Sequence, residues 1–401
     1  MSGECKVVSD VPEWLNHDYL CKVLIKDDQR DSQDWESQII RFRKVFNNLA
    51  TELFQAKLTN RKSPSKAIDV IIKTISENTT NYFKIPFHHQ ELMCNRESDI
   101  YLEFLSEVEK IQKEIGDNDI FSPKYYHSSE KPVVLILEDL SPKGYFPNIK
   151  KTTLNDSKNL LEKIAKMHAY SYYIAKKRGK DYRKFDNFFT DLSQNIPVIH
   201  DAYDIFMEGI KIWPGCQQFA DKLNKFKPHY NKALTKLFAS KNNDSKFSVL
   251  VHGDLYTYNV LYGPNDEIIL VDYQLTAWRS PAYDLIGFFN AFCSTEDNAY
   301  NRDLLIKHYH ENFRLTLKKL DFNEYIPTLL DVHVEMVKYG LLDLMYWSVY
   351  ATTYFARIDP NREADKDIRV SMKEGVQNPN FRKISRLFSD FLEKGYLEYE
   401  D

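Results

Sequence analysis

The sequence contains few cysteines and few glycines, and both shortages restrict what the chain can be. Its 401 residues include five widely spaced cysteines and no Cys-x-x-Cys pair, so neither a disulfide framework nor a zinc site is indicated. There are only twelve glycines, and none lies between Gly3 and Gly116. Residues 4–115 therefore have no glycine at which a backbone could approach a ligand most closely.

The chain also lacks a strong net charge and an uninterrupted apolar segment. A net charge of −4 and a pI near 6.3 provide no basic field for nucleic acid or an anionic membrane. Residues 1–10 do not have the basic and apolar regions of a secretory signal. The apolar stretch 339–355 is interrupted by Asp343 and by hydroxyl side chains, which favours a buried helix over a membrane span. We therefore expect a cytoplasmic protein that binds neither nucleic acid nor a membrane.

Polar side chains follow short apolar strands in the second half of the chain. The apolar run 247–251 predicts a strand that ends at His252 and Asp254. Asn259 lies five residues after Asp254, and a predicted hairpin with a Gly-Pro-Asn-Asp turn closes on Asp272. The pattern brings Asp254, Asn259 and Asp272 to one end of the strands.

Two carboxylates and an amide oxygen suit phosphoryl transfer with Mg²⁺, which prefers oxygen ligands when phosphates complete its coordination. In this chemistry Asp254 accepts a hydroxyl proton, while Asn259 and Asp272 hold the metal against the phosphates. Singly, each residue is more ordinary in a turn or at a strand end. The spacing His-x-Asp-x₄-Asn, with Asp272 thirteen residues later, favours the catalytic interpretation.

A β-hairpin is predicted near the N-terminus, with strands in 49–58 and 68–74. Lys73 ends the run Val-Ile-Ile-Lys, where a kinase keeps the lysine that pairs with the α- and β-phosphates of ATP. On this local pattern alone, a solvated lysine at a strand end is the commoner interpretation.

The chain resembles the insect ecdysteroid kinase-like family, whose members are phosphotransferases of the choline kinase and aminoglycoside phosphotransferase type. Three motifs carry the resemblance: His-Gly-Asp-x₄-Asn at 252–259, Val-Asp-Tyr-Gln at 271–274 and Ser-Pro-Ala-Tyr-Asp-Leu at 280–285. Similar segments at 14–24, 96–101 and 135–144 extend it over most of the chain.

The resemblance implies an α+β, two-lobe fold like that of protein kinases. Residues 1–140 would form a small β-containing N-lobe that binds the nucleotide. Residues 141–401 would form a larger, mostly helical C-lobe with the catalytic hairpin and the acceptor site. ATP and Mg²⁺ are expected between the lobes.

The resemblance also assigns residues to the nucleotide. Glu97 would orient Lys73, with Asp99 and Glu103 as the competing candidates. Backbone groups of the linker that contains Glu138 and Leu140 would bind the adenine edge.

One segment departs from the family pattern. Phe46 stands where the family has the glycine of its phosphate loop, which leaves Asn48 and Thr51 as candidate donors to the phosphates. The substitution puts nucleotide affinity in doubt.

Further expectations concern the C-lobe and the N-terminus. Asp284 would be buried and hold the backbone of the catalytic loop that contains His252 and Asp254, whereas His168 is expected to be a packed residue of a helix at 155–174. The apolar spacing also predicts two N-terminal helices, the second around 34–46.

The protein-kinase motifs Asp-Phe-Gly and Ala-Pro-Glu are absent, which favours a small-molecule acceptor over a protein substrate. The resemblance implies an ecdysteroid or another hydrophobic alcohol as acceptor, with hormone inactivation or detoxification of xenobiotics as the role. The alternative is a catalytically inactive kinase-like protein that binds a hydrophobic small molecule. The oligomeric state is left open.

Overall fold

The structure, a computed structural model, describes residues 11–25, 34–41, 51–75, 86–147, 153–186, 197–239, 247–351 and 368–398. The predictions at Phe46 and Asn48 lie outside these ranges. The chain divides into two compact units. The first comprises Met1–Glu107, Asp119–Pro147 and Leu261–Gln274, and the second comprises Val108–Asn118, Asn148–Val260 and Leu275–Asp401.

The first unit contains an antiparallel sheet of five strands in the order β1-β2-β3-β5-β4. The strands are β1 Trp35–Arg41, β2 Glu52–Asn60, β3 Ala67–Thr74, β4 Tyr125–Glu130 and β5 Val133–Glu138. Alternate residues of β2, such as Phe54, Ala56 and Leu58, are buried against the helix His17–Leu24. This alternation is the period of a strand with one covered face. The predicted hairpin of β2 and β3 is confirmed.

The second predicted N-terminal helix is wrong over its described part, because Trp35–Arg41 is the strand β1. It pairs antiparallel with β2, from Trp35 opposite Asn60 to Arg41 opposite Phe54. Trp35 and Ile39 pack on the apolar cluster of this unit. Because apolar residues four apart share a face in a helix and in a strand, the spacing alone could not separate the two.

The helices that follow fit the predicted α+β class. Phe87–Asp99 continues through a π-helical turn, Ile100–Leu105, into Ser106–Ile115. The remaining α-helices are Leu154–Lys177, Pro197–Ile210, Gln217–Phe238, Ala282–Ala291, Thr295–Tyr300, Arg302–Lys319, Leu329–Lys338, Leu342–Met345, Ile368–Gln377 and Phe388–Glu393. A second π-helical turn spans Tyr346–Ala351. In the parts of the chain that the structure describes, no helix has the length and apolar character needed to cross a membrane.

Five short strands support the segments that carry the candidate catalytic residues. They are β6 Phe146–Pro147, β7 Val249–Val251, β8 Val260–Tyr262, β9 Ile268–Leu270 and β10 Ala277–Arg279. β7 pairs with β10, and β8 lies between β6 and β9. This confirms the predicted strand before His252 and the predicted hairpin before Asp272.

Most of that hairpin belongs to the first unit, although the sequence placed it in a C-lobe beginning at residue 141. β8 pairs with β6, and the Leu270 amide and the Tyr273 hydroxyl both donate to the Phe121 carbonyl. These contacts explain why residues 261–274 group with the sheet. The lobe boundary near residue 140 stays a prediction.

Candidate active site

Lys73 lies in β3 of the first unit and forms ion pairs with two carboxylates. Its Nζ lies 2.8 Å and 2.7 Å from the two oxygens of Glu97 and 2.9 Å from Oδ1 of Asp272. Lys73 and Glu97 are 8% and 1% exposed, so the pair is largely removed from water. The contact predicted between Lys73 and Glu97 is therefore present, and Glu97 is the acid that pairs with this lysine.

Burial and charge act in opposite directions on this set. Burial alone would lower the pKa of Lys73, but the charges of Asp272 and Glu97 raise it above its usual value. Burial raises the pKa of Glu97 to about 7, although the Lys73 charge and a hydrogen bond from the Tyr273 backbone both lower it. Lys73 is therefore a cation at neutral pH, and its ammonium lies within hydrogen-bond distance of both carboxyl groups.

Asp272 occupies a backbone conformation that few side chains tolerate. It lies two residues after the end of β9 and has a φ of 70°. Asp and Asn enter this left-handed region more readily than other residues with a side chain, at a cost of about 1 kcal/mol or more. Strained residues of this kind concentrate at functional sites. The conformation directs the Asp272 carboxylate to Lys73.

The linker after β5 is tied to the sheet by its own backbone. The Glu138 amide donates to the Lys124 carbonyl, and the Asp139 amide donates to the Asp69 carbonyl. Leu140 is buried, and its carbonyl accepts the amide of Lys143. These bonds leave the Glu138 carbonyl and the Leu140 amide as our candidates for binding an adenine edge, which stays a prediction.

In the second unit, β7 leads into a turn that only glycine can form without strain. Gly253 has a φ of 81°, and a Cβ placed there would lie 2.2 Å from the Leu275 carbonyl oxygen. A side chain at this position would therefore meet both an unfavourable backbone conformation and a backbone atom. The glycine sets the direction in which Asp254 leaves the strand.

Asp284 holds this turn in the way the resemblance implied. Its carboxylate is 1% exposed, and it accepts the His252 amide at 2.6 Å through Oδ2 and the Gly253 amide at 2.9 Å through Oδ1. Such amide-to-carboxylate bonds are stronger than bonds between neutral groups. Asp284 therefore fixes the backbone directly before Asp254.

Asn259 contacts Asp254 within the same loop. Its Nδ2 lies 2.9 Å from the Asp254 carbonyl oxygen and 3.0 Å from Asp254 Oδ2. The amide nitrogen thus orients the candidate base, and the amide oxygen is the atom of Asn259 that could bind a metal. The arrangement agrees with the roles predicted for both residues, which stay predictions.

His252 and Thr51 occupy less direct positions. The His252 ring is fully buried, and its Nδ1 accepts the Asp254 amide at 3.3 Å. This favours a positioning role over direct contact with reacting atoms. Thr51 is half-buried directly before β2, and its proposed bond to a phosphate stays a prediction.

The residues fit a nucleotide with a divalent cation. In the described ranges, no group of three or more His, Cys, Asp or Glu side chains forms a metal site. A metal held mainly by phosphates needs only one or two protein ligands, and the metal-binding roles of Asn259 and Asp272 stay predictions. Mg²⁺ favours carboxylate and amide oxygens of this kind as its protein ligands.

Sequence reasoning missed Tyr309, which reaches the loop through His168 and Asp284. The His168 ring lies between Asp284 and Tyr309, with both ring nitrogens within hydrogen-bond distance of them. Tyr309 lies 141 residues after His168, and no motif marks it. Only the packing of the helices Leu154–Lys177 and Arg302–Lys319 brings them together.

Comparison with known proteins gives a family and several distant structures. The model of the ecdysteroid kinase-like family matches residues 46–322. An ethanolamine kinase of Plasmodium vivax is 14% identical, with 95% of this chain and 94% of that chain covered and a TM-score of 0.44. A choline kinase from Cryptosporidium parvum is 14% identical, with 94% of each chain covered and a TM-score of 0.45.

A spectinomycin phosphotransferase in complex with ADP and spectinomycin is also similar, at 14% identity and a TM-score of 0.42, with 90% of this chain and 93% of that chain covered. No curated protein sequence matches the chain. At these identities and TM-scores, the structures do not indicate the acceptor of this chain.

Proposed function

This chain belongs to the ecdysteroid kinase-like family, and we propose that it transfers the γ-phosphoryl group of ATP to a hydroxyl of an ecdysteroid or another hydrophobic alcohol. Its family makes it a small-molecule kinase. The identity of the acceptor and the roles of individual residues are the proposal. The buried contact of Lys73 with both Glu97 and Asp272 is the observation that carries it.

The first unit would hold the nucleotide. A phosphate needs a cation that is already oriented, and Glu97 fixes the Lys73 ammonium through both carboxylate oxygens. Lys73 would bind the α- and β-phosphates, and the backbone of Glu138 and Leu140 would bind the adenine. Asn48 and Thr51 remain the proposed donors to the phosphates. Mg²⁺, when bound, would neutralise developing charge on the phosphates, with Asn259 and Asp272 as its protein ligands.

The second unit would receive the acceptor. Asp254 would take the proton from the acceptor hydroxyl, which raises the nucleophilicity of that oxygen. Asn259 orients the Asp254 carboxylate, and Asp284 fixes the backbone before it. Phosphoryl transfer is accelerated mainly by positioning and charge stabilisation, and both are built into this loop.

Aromatic side chains beside the base support a hydrophobic acceptor. Tyr256 and Tyr258 follow Asp254 within four residues, are half-buried, and have ring centroids 5.9 Å apart. Tyrosine offers an apolar face together with a polar tip, which suits a molecule with a large hydrocarbon body and several hydroxyls. We propose that these rings contact the acceptor.

The proposed product explains the proposed role. A phosphate adds about −1.5 to −2 charges at neutral pH, so it would convert a hydrophobic alcohol into an anion. Such an ester would no longer fit an apolar binding site, which is how phosphorylation would inactivate a hormone or detoxify a xenobiotic. A cytoplasmic location remains part of the proposal, and the free state of Cys21, Cys94, Cys216 and Cys293 supports it.

The test is the detection of a phosphomonoester. The purified protein is incubated with Mg·ATP and a panel of ecdysteroids and other hydrophobic alcohols, and products are identified by mass spectrometry. We expect an acceptor phosphate that depends on Mg·ATP and is missing with Asp254→Asn. Binding of an ecdysteroid without any product would instead support the inactive ligand-binding alternative.

A further inference from the structure

A continuous set of hydrogen bonds lies beneath the candidate catalytic loop. The Tyr309 hydroxyl is 2.9 Å from His168 Nδ1, and His168 Nε2 is 3.0 Å from Asp284 Oδ2. The same Asp284 oxygen accepts the amide of His252, whose ring nitrogen accepts the amide of Asp254. The side chains of Tyr309, His168 and His252 are fully buried, so water does not compete for these bonds.

The bonds determine which nitrogen of His168 carries the proton. An ionised carboxylate only accepts hydrogen bonds, so His168 Nε2 must donate to Asp284. In the neutral ring Nδ1 is then an acceptor, and it needs a donor because a buried acceptor without one is costly. The Tyr309 hydroxyl is that donor. Burial, with the Asp284 charge, raises the pKa of Tyr309 well above its usual value, which keeps the hydroxyl protonated.

The opposite tautomer would disturb the loop. With the proton on Nδ1, the lone pair of His168 Nε2 would face the Asp284 carboxylate and repel it. Asp284 holds the amides of His252 and Gly253 with both oxygens, so a displaced carboxylate would release the turn before Asp254. The tautomer of one histidine is therefore linked to the position of the candidate base.

We propose that Tyr309 and His168 are positioning residues of the transfer site: the Tyr309 hydroxyl donates to Nδ1 and holds the His168 ring in place, and His168 holds the Asp284 carboxylate that fixes the loop. The effect on transfer rests on the proposed function, whereas the effect on the loop can be measured without substrate. Neither residue contacts a reacting atom in this account.

Tyr309→Phe removes one hydroxyl and keeps the ring, so it tests the hydrogen bond between Tyr309 and His168. Tyr172→Phe is the matched control, because Tyr172 lies on the same helix as His168 and its hydroxyl donates to the Tyr325 carbonyl instead. Both changes remove one hydroxyl from a buried ring. Ring-¹⁵N NMR of histidine-labelled protein reports the tautomer, and the His168 signal is assigned by its loss in His168→Gln.

In the wild-type protein and in Tyr172→Phe we expect the Nε2–H tautomer at His168. In Tyr309→Phe the Asp284 carboxylate still favours the Nε2–H form, and we expect a changed chemical shift of Nδ1 because that nitrogen has lost its donor. Hydrogen exchange of the peptide that contains residues 252–254, measured without ligand, should become about fivefold faster only in Tyr309→Phe, as the loss of one hydrogen bond would produce. An unchanged Nδ1 shift in Tyr309→Phe, or equal exchange in the two variants, would overturn the proposal.

The hydrogen bond from His168 to Asp284 is tested by comparing a substitution that keeps a donor with one that removes it. In His168→Gln the side-chain amide can still donate to Asp284 from about the position of Nε2, whereas His168→Leu offers no donor. We expect loop exchange near the wild-type value in His168→Gln and clearly faster exchange in His168→Leu. Equal exchange in two folded variants would show that the histidine only fills space.

A kinetic measurement connects the loop to transfer. ATP hydrolysis with water as the acceptor should lose kcat in Tyr309→Phe and change the KM for Mg·ATP much less, because the proposed contacts of Lys73, Glu138 and Leu140 with the nucleotide lie in the first unit. If Tyr309→Phe kept its kcat although hydrogen exchange of residues 252–254 became faster, the proposed connection between the loop and phosphoryl transfer would be wrong. If the wild-type protein hydrolysed no ATP, the proposed function would be in doubt, and the NMR and exchange results would still decide the positioning role.

Discussion

The candidate residues of the first unit are held by opposite charges, whereas those of the second unit are held by hydrogen bonds to the backbone. Lys73 is fixed by two carboxylates within 2.9 Å of its Nζ. The turn before Asp254 is fixed by two amide bonds to Asp284 and by a glycine with a positive φ. Both arrangements are buried, but they differ in whether a ligand can supply a further partner for the groups involved.

The difference fits the two tasks of a phosphotransferase. An ammonium that is paired with carboxylates can add a phosphate oxygen as a further anionic partner when a nucleotide binds, so the first unit can respond to ligand. Backbone amides bound to a buried carboxylate have no such substitute, so the second unit keeps its geometry. The effects of substitutions in the first unit on stability should therefore depend on pH and on bound nucleotide. The effects of substitutions in the second unit on stability should not.

The largest expected effect is on transfer itself. Asp254→Asn keeps the size of the side chain and removes the base, so the rate of acceptor phosphorylation should fall at least about 100-fold. Affinity for Mg·ATP, measured by calorimetry, should stay close to the wild-type value. The exposed Asp221 provides the control, since Asp221→Asn should change neither quantity. Normal turnover by Asp254→Asn would remove this residue as the base.

A large, pH-dependent loss of stability is expected from Lys73→Met. The change leaves Glu97 buried without its cation, which typically costs about 3–5 kcal/mol. Burial already raises the pKa of Glu97 to about 7, and loss of the Lys73 charge should raise it further. The variant binds a proton at Glu97 when folded, so its stability falls as pH rises towards that pKa. Urea unfolding at about pH 5.5 and about pH 8.5 should show the larger loss at the higher pH.

The raised pKa of Lys73 does not produce this trend. Its contribution to stability is present at all pH values below the unfolded lysine pKa and is lost only as pH rises towards the folded value. Adding Glu97→Gln to Lys73→Met should remove the pH dependence, because no buried acid remains to ionise. A loss from Lys73→Met that was equal at both pH values would contradict the assignment to Glu97.

A smaller, pH-independent loss is expected at the turn of the second unit. Gly253→Ala combines a positive φ with a Cβ 2.2 Å from the Leu275 oxygen, whereas Gly116→Ala has a positive φ of 69° and no atom within 4 Å. We expect about 1 kcal/mol from Gly116→Ala and at least about 2 kcal/mol more from Gly253→Ala. Thermal unfolding of both variants measures the difference. Equal losses would show that the turn can move away from Leu275.

The smallest effect should come from an exposed ion pair of the first unit. Lys143 Nζ lies 2.6 Å from Glu138 Oε1, but the Lys143 side chain is 62% exposed. Lys143→Ala should therefore change the free energy of unfolding by less than about 1 kcal/mol. A loss as large as that of Lys73→Met would mean that burial does not explain the strength of the ion pairs in this unit.

The sequence predicted which residues lie close together where a motif has a fixed spacing. The motifs pointed to His252 to Asn259, Asp272 and Asp284, the resemblance matched Glu97 to Lys73, and the contacts of Lys73 with Glu97, of Asn259 with Asp254 and of Asp284 with the loop are present. Catalytic motifs for phosphoryl transfer have fixed spacings, so residues that match them can be recognised from the sequence alone. The α+β class followed from the family resemblance that these motifs carry, and the structure confirms it.

Features that depend on packing could not be predicted. β1 was expected to be a helix, because its pairing with β2 is a contact between distant residues that local periodicity does not record. The bond between Tyr309 and His168 spans 141 residues and follows no motif. His168 was correctly expected to be packed in a helix, but its two hydrogen bonds became visible only with the helices in place.

The most direct test of the account is the thermal unfolding midpoint with and without millimolar Mg·ATP. Asp272→Asn is compared with Asp266→Asn, because both positions have a positive φ that Asn tolerates and only Asp272 contacts Lys73 in the structure. The wild-type protein and Asp266→Asn should show a magnesium-dependent rise, as binding to the folded state alone produces. Asp272→Asn should show little or none. A wild-type midpoint unaffected by Mg·ATP would contradict the account.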